Sequence, residues 1–341
     1  MHSNLPCARP GLSALSSLGR RVAGVLAFLT LGACNDGGRP AVHAVVADGP
    51  ATQASAPAGE AVHVTLIMKT LTNPFFVEME HGARKAQQET KIDLQVRTAT
   101  QETSIEQQIQ LVHDAIKART GAIVIAPGDS TRLVPVLKSA QDAGIQIVNI
   151  DNRLNAQAMT AAGMKPVPFI SVDNEKGAFE AAKFMADQVH QPTEAAIIEG
   201  IRSADNAQQR KLGAERGFRS NAHIRVVAHE TANWKIDDAY GVAARLFKQH
   251  PRLQLVFCAN DMMAIGVIKY LQENHLAQVK VAGFDALTDV QPLLRAGQLA
   301  VTVDQQAAEQ GYLGVKTALQ MLAGDRPETE IRVVSKLVTA L

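Results

Sequence analysis

The chain has 341 residues, of which 46% are hydrophobic, and its formal net charge at pH 7 is +1. This length allows about two domains with a full apolar core. The near balance of charge argues against a nucleic-acid-binding protein, which would carry a basic excess.

The first 33 residues have the features of a secretory signal peptide. Basic residues precede an apolar run from Val22 to Ala33, which is shorter than the about 20 residues of a membrane-spanning helix. The run ends in Leu31-Gly32-Ala33-Cys34, which resembles the bacterial lipobox. This resemblance implies that Cys34 is acylated and anchors the mature chain to a membrane. The alternative is an ordinary small-residue cleavage site with an incidental cysteine.

Residues 34–61 are predicted to form a flexible tether, because Gly, Ala, Pro and Ser dominate there and no apolar periodicity occurs. Such a tether would hold a globular body away from the membrane surface. Apart from Cys34, Cys258 is the only cysteine after the leader, so no intrachain disulfide is expected. Cys258 follows an apolar run and is interpreted as a small buried hydrophobe.

Strand-like and helix-like segments alternate from residue 62 onward, which is typical of right-handed βαβ units around mostly parallel sheets. In the first half, apolar runs predict strands at 62–68, 92–99, 121–126 and 145–150. Apolar residues at helical spacing predict helices at 74–90, 104–117 and 130–143. A less regular stretch follows at 153–168.

The alternation restarts with a strand at 169–172, and Asp173-Asn174 provides a cap for a helix that runs to Val189. Further strands are predicted at 194–200, 224–230, 253–258, 279–284 and 299–303. A helix at 307–323 and a single strand at 331–338 end the chain. This count predicts an α/β fold with two doubly wound, parallel-sheet lobes rather than one.

Polar residues directly past the predicted strands form the candidate site, because open parallel sheets bind ligands beyond the carboxyl ends of their strands. Carboxylate, amide, guanidinium and indole groups recur there, and this set suits the hydroxyl groups of a neutral polyol. For any single Asp or Asn, the alternative is a turn former or a helix cap. The positions are Lys69, Thr100-Gln101, Gly128-Asp129, Asp151, Asn152, the loop 201–210 with Arg210, Asn233, Trp234, Asn260, Asp261, Asp285, Asp304 and Gln305.

The first of these positions continues into two aromatic residues. Lys69 ends the first predicted strand, and Asn73-Pro74 opens a helix, since proline tolerates the first helical turn. Phe75 and Phe76 therefore project from the start of this helix. They are either walls of a cleft or core residues.

No catalytic, cofactor or metal site is predicted. The sequence has no GxxxxGK[ST] phosphate loop, no GxGxxG after the first strand, no GxSxG elbow and no His-Glu-x-x-His. The ten histidines are interpreted as surface or structural residues. Asp261 is interpreted as the cap of the next helix rather than as a base.

Several motifs resemble those of the periplasmic sugar-binding proteins of the ribose-binding type, which are type I periplasmic binding proteins. In chain order they are Lys69–Phe76, Ala196–Gly200, Cys258–Asp261 with Met263-Ala264, and Gly283–Asp285. The resemblance extends over residues 62–338.

The resemblance implies a monomeric, non-enzymatic protein of the cell envelope. It would capture a monosaccharide of the ribose or allose kind by hinge closure and present it to the permease of an ABC importer. The implied lobes are 62–171 with 306–334 and 172–305 with 335–341, joined by three hinge segments. The implied hydrogen-bonding residues are Lys69, Asn73, Asp151, Arg210, Asn260, Asp285 and Gln305, with Phe76 and Trp234 around the ring and Phe75 as a further wall.

The alternatives to an import protein are a sensor, an enzyme and a transcription regulator. A sensor that presents a sugar or polyol to a sensor kinase or chemoreceptor would have the same cleft, and the sequence does not separate it from an import protein. An enzyme would need an acid/base pair or a metal set. The sugar-responsive transcription regulators would need a basic helix-turn-helix where this chain has its leader.

Two features depart from the family pattern. Relatives place a charged residue, Arg or Glu, after the cleft aspartate, whereas this chain has Asn152. We expect Asn152 to belong to the ligand site and to influence which epimer is preferred. The segment Ile201–Ala207, with Arg202 and Asp205, also differs from its counterparts.

Overall fold

The computed structural model describes residues 62–340, which contain two six-stranded sheets flanked by helices. The first sheet consists of β1 (His63–Met68), β2 (Asp93–Thr98), β3 (Ala122–Ile125), β4 (Gln146–Ile150), β5 (Phe169–Ser171) and β11 (Glu330–Arg332). The second consists of β6 (Thr193–Glu199), β7 (Ile224–Thr231), β8 (Leu253–Cys258), β9 (Lys280–Ala282), β10 (Leu299–Asp304) and β12 (Lys336–Thr339). We refer to each sheet with its helices as the first and the second lobe.

Helices connect most of the successive strands, within a lobe or from one lobe to the other. They are α1 (Pro74–Thr90), α2 (Ile105–Lys117), α3 (Val134–Asp142), α4 (Ala156–Ala161), α5 (Asn174–Ala186), α6 (Asp205–Arg219), α7 (Ile236–Gln249), α8 (Asp261–Glu273), α9 (Gln291–Arg295) and α10 (Ala307–Leu322).

The strand order is β11-β5-β4-β3-β1-β2 in the first sheet and β12-β10-β9-β8-β6-β7 in the second. Every pair is parallel except the antiparallel pair β10–β12. The central strand β3 is buried on both faces, as its unbroken apolar run requires, and β8 is buried except at Gln254. The predicted α/β class with two doubly wound lobes is confirmed.

The chain passes between the lobes three times: after β5, after β10 and between β11 and β12. The prediction of a single strand at 331–338 is wrong, because β11 and β12 belong to different sheets. At the crossing, Val333 N donates to Ser171 O at 2.9 Å, and the next two residues lead into the second lobe.

Two helices differ from the predicted pattern in the first lobe. Helix α3 begins at Val134 and not at Ser130, because Asp129 Oδ1 accepts from Thr131 N and Arg132 N, each at 2.8 Å. These bonds form a local turn that competes with helix formation. The stretch 153–168, expected to be irregular, contains the short helix α4.

Glycines allow helices α1 and α10 to pack with their backbones in contact. A Cβ on Gly82 would lie 1.7 Å from Ala308 O, and one on Gly311 would lie 2.0 Å from Met79 O. Any larger residue would push the two helices apart. This contact fixes α10, which comes late in the chain, on the first lobe.

None of the helices within 62–340 has both the length and the apolar character that a membrane crossing requires. The predicted signal peptide, the tether and Cys34 lie outside the described residues.

Candidate functional site

Polar and aromatic side chains from both lobes surround a small cavity of about 20 Å³ at the carboxyl ends of the strands. In each sheet this edge includes the point where the strand order reverses, beside β1 and beside β6. Its lining residues are Lys69, Asn73, Phe75, Phe76, Glu102, Asp151, Asn206, Arg210, Trp234, Asn260, Asp285 and Gln305.

Lys69 and Asp151 form a buried ion pair on the first-lobe side. Lys69 follows β1, Asp151 follows β4, and Lys69 Nζ lies 2.7 Å from Asp151 Oδ2 with both side chains at most 3% exposed. The Lys69 ammonium also lies 5.4 Å from the centre of the Phe76 ring. Asp151 Oδ2 is paired with this ammonium, and its second lone pair can still accept a hydrogen bond.

Asn73 both caps helix α1 and faces the cavity. Its Oδ1 accepts from Phe75 N at 3.1 Å, and its Nδ2 donates to Glu102 Oε1 at 2.9 Å. The second hydrogen of Nδ2 remains for a ligand. Burial raises the pKa of Glu102, and the nearby Lys69 opposes this rise.

Aromatic rings border the cavity from both lobes. Phe75 and Phe76 stand edge to face with their centroids 5.1 Å apart, and both are buried. From the second lobe, Trp234 lies directly over the backbone of Gly200, where a Cβ would be 2.0 Å from the indole ring. Glycine at this position is therefore what makes room for Trp234.

Arg210 is the most heavily bonded residue of the second-lobe side. Its Nε donates to Asn174 Oδ1, Nη1 to Ala259 O and Nη2 to Gln305 Oε1, at 2.8, 2.8 and 2.9 Å. The guanidinium also lies 3.9 Å from the centre of the Phe284 ring. Burial lowers the pKa of Arg210, and the surrounding carboxylates oppose this effect.

Asp285 and Gln305 continue this network. Gln305 Nε2 donates to Asp285 Oδ1, which lies 3.8 Å from Arg210 Nη1. Asp285 has a φ of 128°. This backbone conformation is costly for any residue other than glycine, and residues that adopt it cluster at functional sites. Burial raises the pKa of Asp285 well above its usual range, while the Arg210 charge opposes the rise.

Asn260, not Asp261, caps helix α8 with its side chain. Asn260 Oδ1 accepts from Met263 N at 2.9 Å, which corrects the expectation for Asp261. Asp261 instead accepts from Thr302 Oγ1 at 2.7 Å and from Leu287 N at 2.9 Å. Burial raises the pKa of Asp261 to about 6, against the effect of these hydrogen bonds.

Asn152 does not line the cavity, although the sequence placed it in the ligand site. Its side chain is fully buried between the lobes, where Nδ2 donates to Pro127 O at 3.0 Å and to Ser130 Oγ at 3.2 Å. Asn152 Oδ1 accepts from Asn206 N at 3.1 Å. Its polar atoms are therefore occupied by the protein.

Sequence reasoning missed two lining residues, Glu102 and Asn206. Glu102 directly follows the flagged pair Thr100-Gln101, and Asn206 lies within the flagged loop 201–210. The rule that located these segments could have found both residues. It does not tell which side chain of a loop turns inward.

Two lining residues carry a buried polar atom without a hydrogen-bond partner in 62–340: Asn206 Oδ1 and Trp234 Nε1. A buried polar atom left unpaired costs about 1–3 kcal/mol. One acceptor and one donor around one small cavity indicate a ligand that both donates and accepts hydrogen bonds, as hydroxyl groups do. Within the described part of the chain, no group of His, Cys, Asp or Glu side chains could hold a metal ion.

Two parallel-sheet lobes around an enclosed polar cavity define a two-lobed solute-binding protein. Residues 64–326 match the periplasmic binding protein domain family, and the chain therefore belongs to this family. The family is periplasmic, and the chain is assigned to the periplasm accordingly.

Similar proteins bind sugars. The D-ribose/D-allose-binding protein of Pseudomonas aeruginosa is 38% identical over 298 residues, which cover 85% of this chain and 93% of the relative. An ABC transporter solute-binding protein from Burkholderia multivorans has a TM-score of 0.79 and 36% identity, over 82% of this chain and 100% of the other. An ABC transporter solute-binding protein from Actinobacillus succinogenes with bound D-allose has a TM-score of 0.77 and 34% identity, and the match covers 81% of this chain and 96% of the other. The resemblance to ribose-type sugar-binding proteins is confirmed, and the chain is a binding protein and not an enzyme.

Proposed function

We propose that this chain captures a monosaccharide of the ribose or allose kind between its lobes and delivers it to an ABC importer. The observation that carries the proposal is the unpaired buried acceptor Asn206 Oδ1 and the unpaired buried donor Trp234 Nε1 at the cavity between the lobes. Relatives named as D-ribose/D-allose-binding and as an ABC transporter protein with bound D-allose support it, and they favour import over signalling.

The proposed ligand contacts divide by chemistry. Carboxylates accept hydrogen bonds, the lysine and arginine donate them, and the amides do both, which matches a neutral ligand with several hydroxyls. Flat aromatic faces suit the C–H face of a sugar ring. The proposed hydrogen-bonding residues are Lys69, Asn73, Asp151, Arg210, Asn260, Asp285 and Gln305, with Phe76, Trp234 and Phe75 as walls.

The proposed mechanism is closure of the two lobes about their three connecting segments. Each lobe alone would leave part of the ligand's hydroxyls to water, whereas the closed arrangement surrounds them. A ligand that bonds to both lobes therefore stabilises the closed state by its differential affinity. Direct contacts such as Lys235 Nζ to Gln101 Oε1 at 2.7 Å join the lobes at the edge of the cleft.

We further propose that Cys34 is acylated and that residues 34–61 tether the binding lobes to a membrane. The support is the sequence Leu31-Gly32-Ala33-Cys34. Metabolic labelling with a fatty-acid analogue should mark the wild-type chain and not the Cys34→Ser variant. Equal labelling of both would contradict the anchor.

The test of the ligand site is calorimetry after a thermal-shift screen of pentoses and hexoses, since a ligand at 100 times its Kd adds about 2.7 kcal/mol of stability. We expect D-allose or D-ribose to raise the melting temperature. Asp151→Ala and Asp285→Ala should each weaken binding about tenfold or more, because each leaves a buried partner unpaired. The exposed Asp142 provides a matched Asp→Ala control in the first lobe. Unchanged affinity in both cavity variants would contradict the proposed site.

A further inference from the structure

Asn206 joins the two lobes beside the cavity. It lies in the first turn of α6 in the second lobe, and its backbone N donates to Asn152 Oδ1 of the first lobe at 3.1 Å. Its side-chain Nδ2 donates to Asp151 Oδ1 at 3.3 Å. Both acceptors follow strand β4, so both bonds require the lobes to be together.

The neighbouring backbone strengthens this junction. Ser130 N donates to Ser203 O at 3.1 Å, and Asp205 N donates to Ser130 Oγ at 2.9 Å. We call Ser130, Asn152, Ser203, Asp205 and Asn206 the interlobe clasp. The clasp joins the two segments in which the sequence departs from the family pattern, Asn152 and the loop before α6.

The orientation of the Asn206 amide is fixed by chemistry. A carboxylate only accepts hydrogen bonds, so Nδ2 must face Asp151 and Oδ1 must face the other way. Asn206 is 2% exposed and lines the cavity, and its Oδ1 has no hydrogen-bond partner among residues 62–340. This oxygen is a buried acceptor at the cavity wall without a donor from the protein.

We propose that Asn206 is a specificity-determining residue, whose Oδ1 accepts a hydrogen bond from one ligand hydroxyl when the clasp is closed. The proposal rests on the sugar-binding function proposed above. It gives the clasp two roles, since the contacts that hold the lobes together also orient an acceptor toward the ligand. A sugar that lacks the matching hydroxyl leaves this oxygen unpaired and binds more weakly.

The experiment is calorimetric titration of D-allose, D-ribose and the monodeoxy analogues of D-allose into four proteins and one supporting variant. These are the wild type, Asn206→Ala, Asn152→Ala and the control Asn274→Ala, which removes an exposed amide at the end of α8. Asn206→Ser is titrated alongside as a smaller change, so that a folding defect in Asn206→Ala does not decide the result.

In the wild type, we expect removal of one particular hydroxyl to weaken binding about tenfold or more. D-allose should bind to Asn206→Ala about tenfold more weakly than to the wild type. The analogue without that hydroxyl should bind to Asn206→Ala as tightly as D-allose binds to the same variant. Asn152→Ala loses the clasp bond but no cavity atom, so it should weaken all sugars by one common factor and keep the discrimination. Asn274→Ala should match the wild type.

The role of Asn206 is overturned if Asn206→Ala or Asn206→Ser keeps the wild-type ratio of affinities between D-allose and every monodeoxy analogue. A loss of affinity by the same factor for all sugars overturns it as well. In both cases the wild type still binds sugar, so the proposed function stands. Failure of the wild type to bind D-allose or D-ribose overturns this assignment together with the function on which it rests.

Discussion

The buried ion pair between Lys69 and Asp151 can be tested without knowledge of the ligand. Lys69→Met keeps an apolar stem of similar length and removes the charge that lies 2.7 Å from Asp151 Oδ2. The Asp151 carboxylate then stays buried without its cation. Removing one member of a buried pair costs about 3–5 kcal/mol of unfolding free energy.

The double variant Lys69→Met/Asp151→Leu replaces the whole pair with apolar side chains. Because buried pairs are often replaced in this way with little loss, we expect the double variant to regain most of the stability. It should nevertheless bind sugar no better than the single variant, since both proposed polar ligand contacts are gone.

Thermal and urea unfolding of the ligand-free protein measure the first effect. A loss of 3–5 kcal/mol lowers the melting temperature on the order of 10 °C. The control is Lys138→Met, which breaks the pair of Lys138 with the exposed Asp142 in the same lobe. Exposed pairs contribute less than about 1 kcal/mol, so this variant should unfold near the wild-type temperature.

Two outcomes would refute the reasoning. If Lys69→Met unfolds at the wild-type temperature, the pair is not the buried, mutually dependent contact described above. If the double variant is less stable than Lys69→Met, other groups stabilise the buried Asp151 carboxylate when the Lys69 charge is absent.

Two further predictions concern the second lobe. Gly200→Ala would place a Cβ 2.0 Å from the Trp234 ring, and such overpacking costs about 1–3 kcal/mol. Calorimetry should show sugar affinity reduced about tenfold. Gly241→Ala, whose Cβ meets no atom closer than 3.8 Å, is the control, and equal affinities would contradict the role of the Gly200–Trp234 contact. The pKa of Asp261 is raised to about 6, so the folded chain holds this proton more tightly than the unfolded chain does. This stabilisation is fully present below about pH 4 and is lost as the pH rises through about 6. In thermal scans, the melting temperature of the wild type relative to Asp261→Asn should therefore fall from pH 4 to pH 7, and a constant difference would disprove the assignment.

The fold could be predicted because its signals are local. Strand β8 and helix α1 have the bounds that their apolar patterns and the Asn73-Pro74 pair predicted. Where a side chain competed with the backbone, as Asp129 does before α3, the boundary moved by several residues. Such competition depends on a rotamer that the sequence pattern does not specify.

The candidate site was predictable as a region but not side chain by side chain. The carboxyl-end rule located Lys69 and Asp285, because it depends only on the direction of the strands. It misjudged Asn152, since an amide after a strand can turn toward the ligand or toward the opposite lobe. That choice depends on Ser130 and on the first turn of α6, which are distant in sequence.

The late position of α10 and β11 in the chain has a consequence for the order of folding. The first sheet receives its edge strand β11, and helix α1 receives its partner α10, from residues 307–332, which are synthesised after the whole of β6–β10. The α1 face around Gly82 therefore lacks its cover during most of synthesis. Domains usually fold from the amino terminus onward as they emerge. In this chain the first lobe is completed only after β6–β10 have been made, so a stop before residue 307 would leave both sheets without an edge strand.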